Sequence, residues 1–242
     1  SVIVFPGFIA SNDKDEITTL GRGGSDYSAA LLAQFLNASV LEIWTDVSGM
    51  YTAHPKLVAQ AQPIPKLSYQ EAMELSHFGA KVIYPPTLQP LVEKQIPILI
   101  KNTFDASAAG TLIDGNVVAT NGSPVKGISH IDDVALISLE GSGMIGIPGF
   151  SQRLFAALSA QKINVIFITQ ASSEHSICLG VKATDAAAAK EAIDQQFEFE
   201  ISLNKVAPTL IETNMVNIAT VGDKMKDHQG ISGKLFSSLG AN

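Results

Sequence analysis

One cysteine in 242 residues leaves no internal disulfide framework to build. Cys178 sits in Ser176-Ile177-Cys178-Leu179-Gly180-Val181, the pattern of a buried strand, and reads as a core thiol in a reducing compartment. Basic residues are scarce. Sixteen Lys and Arg against 23 Asp and Glu give a net charge of −7, and no Lys/Arg cluster supplies the patch a nucleic-acid binder needs. Apolar runs such as 2–9 and 165–168 are too short to span a bilayer. Ser1 leads straight into strand-like sequence with no secretory signal. These absences point to a cytoplasmic protein with neither nucleic acid nor membrane as partner. The five histidines are scattered, with no HExxH and no Cys/His pair, so no metal-ligand set is read. The Walker A pattern GxxxxGK[ST] is missing too, as are the HRD and DFG sets of protein kinases.

What is present is apolar material: 46% hydrophobic and 16% charged residues make a large core, enough for one large domain or two ordinary ones. Residues 2–5 read as a buried strand followed by a Pro6-Gly7 turn, so the chain is expected to begin inside a fold. A helix is expected over about 25–37, capped by Ser25 or Asp26, with Tyr27, Leu31 and Phe35 on one apolar face. A strand over 40–45 completes a strand–helix–strand layer and implies a parallel sheet. Ser68 and Glu71 have capping-box spacing at the start of a helix over 68–78. A further helix over 86–94 and a strand over 96–101 follow. Residues 102–124, rich in Asn, Ala, Gly and Ser, read as a loop with a domain boundary near 115–123.

The second half repeats itself. Shifted by 81 residues, 141–161 falls on 222–242 without a gap and with eight identities in 21 positions, among them Gly141/Gly222, Gly149/Gly230, Leu154/Leu235 and Leu158/Leu239. Each copy reads strand, Gly-containing loop, helix. The first continues with strands over 164–169 and 176–181, an Ala-rich helix over 185–196 and a strand near 199–203, giving βαββαβ, a ferredoxin-like α+β unit. The second copy stops at its first helix, and is expected to be incomplete.

The chemistry gathers in the first half. Gly21-Arg22-Gly23-Gly24 runs into a helix, and amides at such a junction, helped by the helix dipole, attract an oxyanion. Arg22 can clamp a carboxylate bidentately. Asp26 at the helix start either organises cationic groups around a transferring phosphoryl or is a plain cap. Trp44-Thr45-Asp46 ends a strand, where nucleotides dock in open α/β sheets. Lys81, at a helix end, can reach a phosphate as a point charge or simply sit in solvent. Together these point to phosphoryl transfer by positioning and charge neutralisation.

At these residues the sequence resembles the aspartokinases, of the amino acid kinase fold. The stretches that carry the likeness are GFI (7–9), TTLGRGGSDYSAALLA (18–33), EIWTDVSGMYT (42–52), LSYQEAMELSHFGAKV (67–82), IPILIKNT (96–103) and GTLI (110–113), then VKGIS (125–129) and VIFITQASSEHSI (165–177) for the regulatory ACT pair of the same family. The resemblance implies an α/β chain: residues 1–118 as the C-terminal half of a parallel-sheet amino acid kinase domain, 122–206 as a ferredoxin-like ACT domain, and 207–242 as the beginning of a second. It implies that ATP, carrying Mg²⁺, phosphorylates the side-chain carboxylate of L-aspartate, an early step of lysine, threonine and methionine synthesis. By resemblance, Phe8, Arg22, Gly23, Gly24 and Ser25 hold aspartate and Asp26 organises the site. Thr45, Asp46, Tyr51, Lys56, Lys81 and Val82 contact ATP, and Lys81 also neutralises phosphoryl charge. An effector amino acid, threonine rather than lysine, lies at Met144, Gly149, Phe150, Asn164, Ile166, Thr169 and Gln170, and two copies pair through their ACT sheets as a homodimer.

The sequence departs from the family in three places. The usual ADPR after the Tyr is Ala53-His54-Pro55-Lys56, and the usual KVLHP is Lys81-Val82-Ile83-Tyr84-Pro85. The family's opening KFGGTS, with its phosphate-binding Lys and glycines, does not occur, so this chain by itself is expected to be inactive as a kinase. Three alternatives stand beside the kinase reading. One is an amino-acid-binding and dimerisation fragment without kinase activity, and one is part of a bifunctional aspartokinase/homoserine dehydrogenase. The third, another amino acid kinase such as a glutamate or acetylglutamate kinase, is disfavoured by the tandem ACT-like repeat.

Overall fold

The structure is a computed structural model and describes residues 2–8, 10–77, 82–116, 124–170, 172, 174–223 and 225–241. The Lys81 position and the expected boundary at 118–122 lie outside the described residues. Residues 1–130 with 218–242 form one compact unit and 131–217 another.

In the first unit, β1 (Ala10–Ser11) and β2 (Ile17–Thr18) make a short antiparallel ribbon. Helix α1 (Gly24–Phe35) leads into β3 (Leu41–Thr45). Then come β4 (Lys66–Leu67), α2 (Tyr69–His77), a 3-10 turn at Pro85–Thr87, α3 (Leu88–Lys94), β5 (Ile98–Asn102) and β6 (Thr111–Ile113). The sheet order is β3-β5-β6-β4: β3 runs parallel to β5, β6 parallel to β4, and β5 antiparallel to β6. Of the two parallel pairs, β3 and β5 are joined through α2 and α3. The expected partner at residues 2–5 is not a strand. That segment pairs with nothing among the described residues, and Val2 is 92% exposed. An apolar run becomes a strand only where a neighbour takes its backbone hydrogen bonds.

Ile43, Ile98, Ile100 and Ile113 cover one face of this sheet, with Leu67, Leu75, Leu88 and Leu91 packed against them. Each such side chain contributes about 1.5–3 kcal/mol of burial. The capping box of α2 forms as its spacing implies: Ser68 N–H donates to Glu71 Oε2 (2.8 Å) and Glu71 N–H to Ser68 Oγ (3.1 Å). The buried Thr111 hydroxyl accepts from Met50 N–H (2.8 Å) and donates to the Ile64 carbonyl (2.6 Å), so the loop after β3 is stapled to β6. Residues 102–124 thus contain a strand that their loop-like composition hides.

The second sheet is built from β7 (Gly127–Glu140), β8 (Phe167–Gln170), β9 (Ser176–Lys182) and β10 (Leu210–Val221), in the order β10-β7-β9-β8. Helices α4 (Phe150–Ala160) and α5 (Ala186–Gln196) cover one face, with α6 (Glu198–Ser202) running on from α5. This is the expected ferredoxin-like order, but its last strand is β10 and not 199–203. The alternation of Phe199 and Ile201 imitates a strand. Phe197, fully buried and stacked on Phe150 at 4.4 Å, anchors the segment instead, and Glu200 turns back to pair with Arg153. Cys178 is only half-buried, because it faces the side of the sheet opposite Leu179.

The 81-residue repeat is visible in the backbone. Residue pairs Asp133/Asn214 and Gly149/Gly230 occupy left-handed conformations in both copies, with φ of 55° and 60° for the first pair and 84° and 85° for the second. Ala207 N–H donates to the Glu140 carbonyl (2.7 Å) and Lys126 N–H to the Val221 carbonyl (2.8 Å), the same bond displaced by the repeat. Gly141 lies against Lys205 and Val206, and Gly222 against Pro124 and Val125. In α7 (Ile231–Gly240) the repeat face is open: Leu239 is 52% exposed, while its first-copy counterpart Leu158 is buried.

A Cβ on Gly141 would press into the Lys205 carbonyl, whereas one on Gly233 in α7 would meet nothing within 4 Å. Gly141→Ala is expected to cost about 1–3 kcal/mol in urea unfolding. Gly233→Ala is expected to be neutral or to stabilise by up to about 1 kcal/mol. Equal midpoints for the two variants would contradict the close approach at Gly141.

Candidate functional site

Helix α1 has 12 residues and β3 has 5, so they span about 18 Å and about 17 Å respectively. A short turn joins the end of α1 to the start of β3. The N-terminus of α1 therefore returns to the edge where β3 ends. Because β5 is parallel to β3, its last residue reaches that edge as well. Gly23–Asp26, Thr45–Asp46 and Asn102 share the carboxyl edge of the sheet, which is where open α/β sheets take their ligands.

At the start of α1 the cap is Gly23, with φ 80° and no side-chain hydrogen bond, and not Ser25 or Asp26 as expected. Tyr27 N–H donates to Gly23 O, and Gly24 N–H is taken up by Gly21 O (3.0 Å). Among the described residues the amides of Ser25 and Asp26 have no partner, so the anion-seeking donors lie one position later than the motif implies. Gly23 is doubly required. Its φ is left-handed, and a Cβ there would sit 2.5 Å from the Tyr84 ring. Gly7 packs on Ser25, and Phe8, next in the chain, places its ring beside Gly24. Phe8 holds φ 67°, an uncommon conformation for a bulky residue and of the kind that collects at ligand sites. Arg22 is exposed at the rim of this group.

Asp26 is half-buried and accepts a hydrogen bond from Tyr84 N–H (3.2 Å). Burial pushes its carboxyl above the ordinary value, and the Tyr84 N–H opposes this without cancelling it. Tyr84 entered the sequence reading only as a departure from KVLHP. Its ring covers the Gly23 turn and its backbone steadies Asp26.

At the strand ends, Thr45 Oγ1 donates to Asp46 (3.2 Å), Thr103 N–H to the Thr45 carbonyl (2.8 Å) and Asn102 Nδ2 to Ser48 Oγ (2.9 Å). Ser48, Asn102 and Thr103 were not singled out by the sequence, since lone polar residues at strand ends carry no pattern. Tyr51 forms an isolated bridge with Pro63, and Lys56 is exposed on a turn whose amide donates to His54 Nδ1. Val82 packs against the core cluster. Among the described residues no cluster of three His, Cys, Asp or Glu could hold a metal ion. None of the described helices is long and apolar enough to cross a membrane.

The second unit carries a polar cavity of about 420 Å³ at the start of α4, lined in part by Met144, Gly149, Phe150, Gln152, Gln170 and Glu174. Four of the seven expected effector residues meet there. Thr169 points to the opposite face of β8, as alternation requires, and Asn164 and Ile166 lie before that strand and do not line the cavity. Gly149 caps α4 at φ 84° with no side-chain bond. Glu174, unforeseen in the polar run after β8, accepts from Gly146 N–H (2.9 Å) and closes the loop over the cavity.

Residues 1–102 match the model of the amino acid kinase family and residues 137–197 that of an ACT domain. The chain is 48% identical over 238 residues to a bifunctional aspartokinase/homoserine dehydrogenase of Haemophilus influenzae, covering 98% of this chain and 29% of that one. Among solved structures it is similar to Clostridium acetobutylicum aspartate kinase, with a TM-score of 0.81 and 30% identity over 98% of this chain and 54% of that one. It is also similar to E. coli aspartokinase III in complex with aspartate and ADP, with a TM-score of 0.76 and 33% identity over 96% of this chain and 51% of that one. The chain thus spans from about three tenths to just over half of the proteins it matches.

The raised pKa of Asp26 fixes a pH signature. A carboxyl held above its ordinary value adds stability below the ordinary range, and that stability is lost as pH rises through the raised value. Asp26→Asn removes this loss. Its thermal midpoint is expected to exceed that of the parent near pH 7, with the gap closing by about pH 3. A gap that does not change with pH would contradict the burial of the charge.

Proposed function

The chain belongs to the aspartokinases, as a stretch joining part of an amino acid kinase domain to an ACT domain, and from that premise we propose that the protein phosphorylates the side-chain carboxylate of L-aspartate with ATP. The observation that supports this reading is the shared edge: a helix N-terminus whose Ser25 and Asp26 amides have no partner among the described residues lies at the same edge as the ends of two parallel strands. Aspartate sits at the helix start. Its carboxylate meets the amides of Ser25 and Asp26 and the guanidinium of Arg22, with the Phe8 ring and Gly23–Gly24 forming the wall. ATP lies along the strand ends at Thr45, Asp46, Ser48, Tyr51 and Asn102, with Lys56 at the rim. Magnesium travels on the triphosphate, where it neutralises phosphate charge. Asp26, held by Tyr84, faces the transfer, and Lys81 and Val82 complete the nucleotide side by resemblance. Catalysis on this reading is positioning and electrostatic stabilisation, with no covalent step on the protein. The domain limits 1–118, 122–206 and 207–242, a cytoplasmic location and a homodimer paired through ACT sheets accompany it.

The cavity at α4 is read as the site of a regulatory amino acid. An α-carboxylate suits the first amides of α4, and an α-ammonium suits Glu174 and Gln170. Among the described residues Glu174 is the one acid lining the cavity, so a second cation, such as the side chain of lysine, meets no second carboxylate among them. That favours threonine.

In the full-length kinase, Arg22→Lys replaces a bidentate fork by a point charge and is expected to raise KM for aspartate about 10–100-fold. The change in kcat is expected to be much smaller, as read by an aspartyl-hydroxamate assay. An unchanged KM would remove Arg22 from the aspartate site. In calorimetry on this chain, threonine is expected to give heat that Gln170→Ala abolishes. Heat from lysine alone would overturn the effector assignment.

A further inference from the structure

The turn that carries Lys56 is built on one residue, His54. Residues 53–56 read Ala-His-Pro-Lys where the family's usual run is ADPR, so His54 stands in the place of an Asp. Pro55 has no amide to satisfy. The next three amides all end on His54: Lys56 N–H donates to its ring at Nδ1 (3.2 Å), and Leu57 N–H and Val58 N–H both donate to its carbonyl (3.0 Å each). That is the arrangement of a helix N-cap followed by proline, compressed into a single turn. With Nδ1 accepting, the neutral ring carries its proton on Nε2.

A second contact meets the ring. The His130 imidazole packs edge to face on that of His54, with ring centres 5.8 Å apart. Ile128 N–H donates to the Thr52 carbonyl (2.8 Å), so the strand end that carries His130 is tied to the start of the His54 loop. The neck of that loop is closed by Thr52 and Gln62. Thr52 N–H donates to the Gln62 carbonyl (2.9 Å), and Gln62 N–H donates to Thr52 Oγ1 (3.0 Å). All of these residues belong to the first unit. The neck is fixed by the backbone, and within the loop His54 sets the turn on which the exposed Lys56 stands.

We propose that His54 is a positioning residue for the nucleotide, acting through Lys56, and that it works only while its ring is neutral. The proposal rests on reading Lys56 as a nucleotide contact. An Asp cap accepts an amide at any pH above the ordinary carboxylate range. An imidazole accepts at Nδ1 only when unprotonated, and imidazoles change charge between about pH 5 and 8. The titratable groups set against His54 are His130 from β7 and Lys56 from its own turn. Both are positive when protonated, so an imidazolium at His54 gains no ion pair from them. Protonation therefore removes the cap and loosens the turn, and Lys56 loses its fixed place at the rim.

The test variant is His54→Asn, because an Asn side-chain oxygen can cap the same amide and does not titrate. His54 and Lys56 are exposed, so substitution at either leaves the core untouched. In NMR spectra of this chain, the Lys56 amide signal is expected to shift with the His54 ring signals from about pH 8 to about pH 5.5, and to hold its place in His54→Asn. In the full-length kinase, KM for ATP is expected to rise about three- to tenfold more over that range in the parent than in His54→Asn, which is the loss of one cap. The kcat profiles of the two are expected to run together. A Lys56 amide that does not titrate in the parent, or titrates equally in His54→Asn, overturns the cap. A KM that falls at low pH in the parent relative to His54→Asn also overturns the proposal, since the imidazolium itself would then be drawing in phosphate. Equal KM profiles are resolved by Lys56→Ala. If that variant raises KM for ATP, His54 does not position Lys56 and this inference fails alone. If it does not, Lys56 is no nucleotide contact, and the reading beneath the inference fails with it.

Discussion

The second half of the chain depends on a reciprocal exchange between β7 and β10. Each strand carries a carbonyl at its end that accepts an amide from the lead-in of the other, and each is followed by a glycine that lies against that lead-in. A side chain at either glycine would force the backbones apart. The strand that opens the second copy thereby completes the four-stranded sheet of the first, in the 4-1-3-2 order of a ferredoxin-like unit. Asp133 and Asn214 take left-handed conformations at equivalent places within these strands, which Asp and Asn tolerate better than most residues. Register and twist are consequently set twice, by the same device.

The first half rests on a different constraint, the parallel pairing of β3 with β5. Parallel strands need a crossover, and here α2 and α3 supply it. The crossover sends both strand ends to one edge and leaves α1 to bring its N-terminus there. Gly23, Thr45 and Asn102 reach this edge because helix length and strand length agree. Thr111 then fixes the loop that leaves β3, by two buried hydrogen bonds that a methyl group could not make.

Which parts of this were legible in the sequence follows from the range of each interaction. The capping box at Ser68 and Glu71 is local, and it forms as spacing implies. The repeat was legible because Gly141/Gly222 and Gly149/Gly230 are residues that geometry cannot replace. The strand at 199–203 failed because five alternating residues look alike in helix and strand, and only the distant Phe150 and Arg153 decide between them. The strand at 2–5 failed for the same reason: apolar sequence states a preference, and a ladder partner has to supply the strand. Asn102, Tyr84 and the bond from Asp223 N–H to Glu71 Oε1 were invisible because each depends on a contact between segments more than 50 residues apart.

The choice of helix cap divides the helices into two groups. Helix α2, whose start is buried structure, has a complete capping box. Helices α3 and α5 follow 3-10 turns, and α6 follows α5, so their first amides continue an existing helical run. Helices α1, α4 and α7 each begin instead on a left-handed glycine with no side-chain cap, at φ 80°, 84° and 85°. In each, the glycine carbonyl takes the amide four residues on. A Ser, Asp or Asn at these positions would bond the early amides and add about 0.5–2 kcal/mol of helix stability. It would also fill the place of an anion. Glycine forgoes that stabilisation and leaves the donors open. In α1 they lie where aspartate is proposed to sit, and in α4 they border the polar cavity proposed for a regulatory amino acid. The same cap on α7 marks the second copy as built to the same plan as the first.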